Sequence, residues 1–208
     1  MENPYSNLIS SRMKLRLWMA FFLALLGICA SIASIYATPV PSASNLSCGL
    51  EMLDCTKALT SEYSKIGIIP LGVFGLFYFS FWAMNLRATM RTGDDVYRTA
   101  LTYVTILGAI VSLTLGTIMF FVLNAPCLYC MMTHSSNIIS VILLWPAFQF
   151  KLHYKFSSDS LWHFASITGI STLAATTLFF ANTTRIAEAR LNETQQKLEA
   201  SQVDSLDW

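Results

Sequence analysis

The stretch Asn124-Ala-Pro-Cys127-Leu-Tyr-Cys130-Met-Met-Thr-His134 sets two cysteines three residues apart at the mouth of a long apolar run. Pro126 suits the first position of a helix, where its missing N–H would have had no intrahelical partner. Cys127 and Cys130 are therefore expected in the first turn of that helix, on one face, as residues three apart are. Unsatisfied amide N–H groups and the positive end of the helix dipole favour a thiolate there and lower a cysteine pKa. A redox dithiol is built this way. The same spacing also occurs as a structural disulfide or as half of a zinc site. Zinc takes four ligands, and no second close pair of Cys or His stands at finger-like spacing here.

Hydrophobic residues make up 54% of the 208-residue chain and charged residues only 12%, against roughly 25% charged in a soluble domain. The chain reads as an all-α membrane protein. Five uncharged stretches, at about 17–37, 66–86, 99–123, 127–150 and 161–181, reach the roughly 20 residues that cross a hydrocarbon core. The net charge of +1 carries neither a basic stripe nor an acidic tail, so nucleic acid is not suggested as a partner. The placement of the cations is more telling, because positive residues flanking spans stay in the cytoplasm. Arg12, Lys14 and Arg16 precede the first span, Arg87, Arg91 and Arg98 separate the second from the third, and Lys151 and Lys155 separate the fourth from the fifth. The other side has Lys57 and Lys65 in the first loop, none in the turn at 124–126, and three cations in the tail. The amino terminus is expected in the cytoplasm.

Residues 1–14 form a polar lead. The apolar run after it is about 20 residues, longer than the roughly 7–15 of a cleavable signal, so a retained span is expected although Ser34-Ile-Tyr-Ala37 would pass as a cleavage site. Cys29, alone in this span, reads as a small packing residue. The long connection 38–65 is rich in Pro, Ser and Asn and carries Cys48 and Cys55. Two spans separate it from Cys127, so all four cysteines face one side, and with the amino terminus inside that side is the outer one, where disulfides persist. Met52, Leu53, Ala58 and Leu59 around Cys55 suit a short amphipathic helix on the membrane surface. A structureless loop closed by a Cys48–Cys55 disulfide is the alternative.

Ile66-Gly-Ile-Ile-Pro-Leu-Gly-Val-Phe-Gly75 puts three glycines and a proline into ten residues. Small residues let helices approach one another, and a ligand slot is the sharper reading. Ser112, Thr114, Gly116 and Thr117 in the third span are expected at helix contacts. His134 lies four residues after Cys130, on the face of the dithiol, and an ionisable residue inside a membrane is a functional candidate. The fifth span, with His163, suggests no chemistry; the stretch 182–208 is expected outside, as a polar helix. Sequons stand at Asn45, Asn182 and Asn192.

Taken together, Cys48 and Cys55, Ser61-Glu-Tyr63, Gly67-Ile-Ile-Pro70 with Gly75, and Phe120-Phe-Val-Leu-Asn-Ala-Pro-Cys127-Leu-Tyr-Cys130 resemble the vitamin K epoxide reductase family in its bacterial form, over roughly residues 15–150. The resemblance implies a four-helix transmembrane bundle around a quinone pocket, capped by the outer loop 38–65, here with a fifth transmembrane helix after the connector that begins at 151. It implies a membrane thiol–disulfide oxidoreductase supporting disulfide bond formation. Cys48 and Cys55 would exchange disulfides with a thioredoxin-like (DsbA-like) partner, Cys55 would pass electrons to Cys127, and Cys130 would face the quinone cofactor, whether ubiquinone, menaquinone or a vitamin K-like molecule. Ser61, Tyr63 and Phe74 match positions beside the pocket, and His134 stands where vertebrate members carry a quinone-contacting tyrosine. Leu71 replaces a vertebrate asparagine that contacts the quinone, and Gly49 replaces an acidic residue frequent after the first loop cysteine. These departures bear on epoxide reduction and leave plain quinone reduction untouched. No further CxxC follows, so the partner is expected to be a separate protein, and the site is expected in a bacterial inner membrane with its cysteines facing the periplasm. A non-enzymatic multi-span scaffold with structural disulfides is the rival, and a metal transporter using soft cysteine ligands is a third reading.

Overall fold

The computed structural model describes residues 11–37, 55–148 and 158–204. Six helices dominate: α1 (Ser11–Tyr36), the short α2 (Cys55–Thr60), α3 (Leu71–Thr92), α4 (Asp95–Thr117), α5 (Leu128–Leu144) and α6 (Ser158–Asp204). Four of them, α1, α4 with its extension to Val122, α5 with its extension to Ala147, and α6, are long and apolar enough to cross a membrane. The expected second span is not among these four. Residues 65–70 form a two-stranded antiparallel hairpin, β1 (Lys65–Ile66) on β2 (Ile69–Pro70), turned at Gly67 with φ 62°. Pro70, extended at the helix N-cap, delays α3 to Leu71. Its 22 residues span about 33 Å but take in Asn85, Arg87 and Arg91, which dilute their hydropathy. Gly93, left-handed with φ 67°, ends α3 by donating its N–H to the Thr89 carbonyl at 3.0 Å.

α3 packs against α1, α4 and α6, while α5 packs against α1 and α4. Small residues on α1 let it approach, since Leu17, Ala20 and Ala24 pack against Phe79, Trp82, Ala83 and Leu86 of α3 together with Leu101 and Leu144. A Cβ on Gly27 would collide with the Phe79 ring, and one on Gly72 would sit 2.5 Å from Ser34 Oγ. Close approach matters because lipid tails are as apolar as leucine, leaving van der Waals packing and hydrogen bonds to hold helices together. Trp82 supplies both: it is fully buried and its Nε1–H donates to Thr105 Oγ1 at 2.9 Å. α6 packs along α3 and α1 through Ile35, Val73, Leu76 and Ala175. Its 47 residues run for about 70 Å, so the span expected at 161–181 and the helix expected after it are one unbroken element.

α1 begins, α3 ends and α4 begins at one end of the bundle, which carries Arg12, Lys14, Arg16, Arg87, Arg91 and Arg98. The described cysteines of the two pairs gather at the opposite end. Cys29 is exposed on α1, and so is not the packing residue expected of it. Thr114 and Thr117 are exposed and bond to carbonyls of their own helix, so of the polar residues expected at helix contacts in the third span only Ser112 meets a neighbouring helix through its side chain. The Asn182 sequon is buried inside the fold.

Candidate active site

α4 does not stop cleanly. Its last turn widens to an i→i+5 pattern over Ile118–Val122, with the Leu123 N–H reaching the Ile118 carbonyl at 2.9 Å; such widened turns are rare and gather at functional sites. The chain then reverses through Asn124, left-handed at φ 46°, a conformation asparagine tolerates better than most residues. Met119 holds the reversal twice. Its carbonyl accepts the Ala125 N–H at 3.3 Å and its thioether accepts the Cys127 N–H at 3.5 Å.

Cys127 is thereby placed as the N-cap of α5, with extended backbone at φ −112°, ψ 127°. This corrects the expected geometry. Pro126 lies before the helix rather than at its first position, and Leu128 opens the helix. The shift by one residue still leaves the Cys127 thiol beside the first turn, because an N-cap side chain faces its unpaired amides. Cys127 precedes the spanning helix and is completely buried, and its thiol is held down to about 7. The hydrogen bond from Cys130 is the largest cause; burial opposes it by pushing the pKa up, and the Cys130 and Tyr129 N–H groups add to the lowering. Cys127 and Cys130 are free thiols, whereas Cys55 is disulfide-bonded. Cys48 lies outside the described residues.

Cys55 opens α2 and turns inward with Ala58. Both join Met119, Ala125 and Cys127 in one buried cluster, against which Cys130 and Met131 also pack. The segment after α2 is tied to itself: the Ser61 hydroxyl donates to the Ala58 carbonyl at 2.8 Å and the Ser64 hydroxyl to the Leu59 carbonyl at 2.7 Å. It roofs a cavity of about 300 Å³, at the lower end of what ligand pockets occupy. Ser61, Tyr63 and Phe74 line it together with Cys130 and His134. Every site residue expected from the sequence and described by the structure therefore falls on the cavity wall or, for Cys55 and Cys127, in the cluster that Cys130 adjoins. Leu71 also lines the cavity, as do Gly72 and Gly75, so the glycines of α3 serve both the α1 contact and the ligand slot.

Among the other residues of the wall, three carry polar groups deep in the bundle. Tyr78 lies over Gly108, where a Cβ would strike its hydroxyl. Ser31 is buried beneath Gly75. Asn137, seven residues after Cys130 on the same face of α5, donates its Nδ2–H to Ser112 Oγ at 2.7 Å and, more weakly, to the Gly108 carbonyl at 3.5 Å. That spacing was the available signal for Asn137. Ser31 had none, since serine is common in membrane helices for packing alone.

A mostly apolar cavity with a few polar groups and one thiol in its wall suits a flat, lipid-soluble redox ring. A thiol can close a disulfide only with a neighbouring thiol, and the thiol hydrogen-bonded to Cys130 is Cys127. No curated protein matches the chain significantly. The family model described as the vitamin K epoxide reductase family matches residues 18–145, which takes in most of α1, the cavity and the dithiol turn. The chain belongs to the vitamin K epoxide reductase family and is an integral membrane thiol–disulfide oxidoreductase.

Proposed function

We propose that the protein carries electrons from a thioredoxin-like dithiol to a membrane quinone and so drives disulfide formation on the outer side of a bacterial inner membrane. The observation that carries this reading is the position of Cys130, whose residue lines the cavity while packing against the cluster that buries Cys127 and Cys55 together.

The balance of each step is simple. A partner dithiol reduces the Cys48–Cys55 disulfide and is itself oxidised. The Cys55 thiolate then attacks Cys127 of a Cys127–Cys130 disulfide, Cys130 leaves as thiolate, and Cys48 resolves the mixed disulfide. The Cys127–Cys130 dithiol gives two electrons and two protons to the quinone, which becomes the hydroquinone as the disulfide re-forms. The chain's own residues divide the work. Cys127, with its lowered pKa, exchanges readily; Cys130 faces the acceptor; His134 offers a hydrogen bond to a ring oxygen; Ser61, Tyr63 and Phe74 shape the wall. The cationic end of the bundle faces the cytoplasm under the positive-inside rule, which sets the cysteines toward the periplasm. Purified protein mixed with a reduced thioredoxin-like substrate and a short-chain ubiquinone tests this through quinone absorbance. Wild type should reduce the quinone and Cys130→Ala should not; equal rates would refute the assignment of Cys130 as terminal donor.

A further inference from the structure

Two residues of the cavity wall each carry a buried polar atom with no hydrogen-bond partner among the described residues: Ser31, on α1, through Oγ, and Asn137, on α5, through Oδ1. The residues are 1% and 6% exposed, so solvent does not satisfy these atoms either. Leaving a buried polar atom unpaired is costly, and two in one ligand-sized cavity ask for a ligand that pairs them.

They ask for different things. A serine hydroxyl both donates and accepts, and serves any oxygen. The amide of Asn137 has been given a direction. The Gly108 carbonyl can only accept, so the side that faces it and Ser112 must be Nδ2, and the free atom is the carbonyl oxygen. That oxygen accepts and cannot donate. A quinone presents only acceptors to it, whereas a hydroquinone presents O–H groups. Asn137 lies three residues beyond His134 on the inward course of α5, a rise of about 4.5 Å, so a ring held near Cys130 and His134 extends toward it.

We infer that Asn137, oriented by Ser112 and Gly108, is a specificity-determining residue that accepts a hydrogen bond from the reduced ring, so that the cavity binds hydroquinone more tightly than quinone. This rests on reading the cavity as a quinone site. Its consequence is thermodynamic: preferential binding of the product raises the effective potential of the bound acceptor and makes the dithiol a better reductant toward it, while slowing product release.

The test is binding, not turnover. A full-length Cys127→Ala/Cys130→Ala protein, unable to transfer electrons to the ring, is titrated anaerobically with a short-chain ubiquinone and with its chemically reduced quinol. The parent binds the quinol more tightly. Asn137→Leu, close in size, weakens quinol binding about tenfold and changes quinone binding less than about threefold, in line with one hydrogen bond lost. Equal weakening of both forms, or no change in either, overturns the inference and leaves the quinone reading standing. Should Asn137→Leu fail to fold, Ser112→Ala decides. It frees Nδ2 so that the amide can turn its donor to the ring, and the quinol preference then shrinks at least threefold; an unchanged preference overturns the inference. A parent that binds neither form overturns the quinone reading itself, and this inference with it.

Discussion

Removing Cys130 should change the chemistry of Cys127 in a way that reverses sign with pH. Cys127 titrates at about 7 chiefly because Cys130 donates a hydrogen bond to it. In Cys130→Ala that donor is gone, while burial and the two remaining backbone N–H groups oppose one another, so the midpoint should climb toward the roughly 8.5 of an ordinary thiol. The shift of about 1.5 units corresponds to about 2 kcal/mol. A lowered pKa means thiolate present above the midpoint and lost to protonation below it. At pH 7 the thiolate fraction therefore falls from about one half to about 3%, a factor of about 16. Each thiolate is also more nucleophilic as its pKa rises, by a factor of about 5 for a Brønsted slope of 0.4–0.5. The variant should react about threefold more slowly than wild type at pH 7 and about fivefold faster above pH 10. The assay is the initial rate of reaction with a small uncharged disulfide across pH 5–11, in a Cys29→Ser/Cys48→Ala/Cys55→Ala background so that neither the exposed third thiol nor the loop pair contributes. A variant whose midpoint stays near 7 would refute the hydrogen bond as the cause. A variant faster than wild type at pH 7 would refute the arithmetic.

His134→Phe keeps a flat aromatic ring in the wall and removes its hydrogen bonding. The KM for quinone should rise about five- to tenfold, the equivalent of one hydrogen bond, while thiol exchange with the protein partner is unchanged; an unaltered KM would remove His134 from the site. Gly72→Ala brings a methyl to 2.5 Å from Ser34 Oγ and 2.9 Å from Ile35 Cγ1. It should cost about 1–3 kcal/mol of stability, read as a lower midpoint of thermal unfolding in detergent, and a neutral result would show that α1 and α3 are not in close contact. Met119→Leu should cost less than about 1.5 kcal/mol, but Met119→Ala, which empties the cluster around Cys55 and Cys127, should cost about 2–5 kcal/mol. If the alanine variant melts like wild type, Met119 does not hold the dithiol turn.

The parts of this site legible in the sequence were those carried by chemistry at short range. A CxxC at the head of an apolar run, a histidine one turn later and the distant Cys55 at the same end of the bundle need only periodicity and topology to be placed together. The hairpin was not legible. Ile66-Gly-Ile-Ile-Pro70 reads as continuous apolar sequence, and nothing in hydropathy separates a strand pair turned at Gly67 from the first turn of a helix. Pro126 misled for a related reason: a proline two residues before the helix start looks like one at the first position when helix ends carry an uncertainty of a residue or two. Met119 and the orientation of Asn137 lie further out of reach, because each depends on a contact made only after two segments have packed.

The relay requires Cys127 and Cys55 to come close enough to share a bond. In Cys130→Ala, a Cys127 thiolate that attacks the disulfide holding Cys55 forms a Cys55–Cys127 bond and releases the other sulfur, and without Cys130 nothing resolves it from the helix side. Mass spectrometry of the non-reduced, digested variant should find the peptide containing Cys55 joined to the peptide containing Cys127. A digest in which Cys127 stays unpaired while Cys55 keeps its original partner, in intact membranes as in detergent, would contradict the relay.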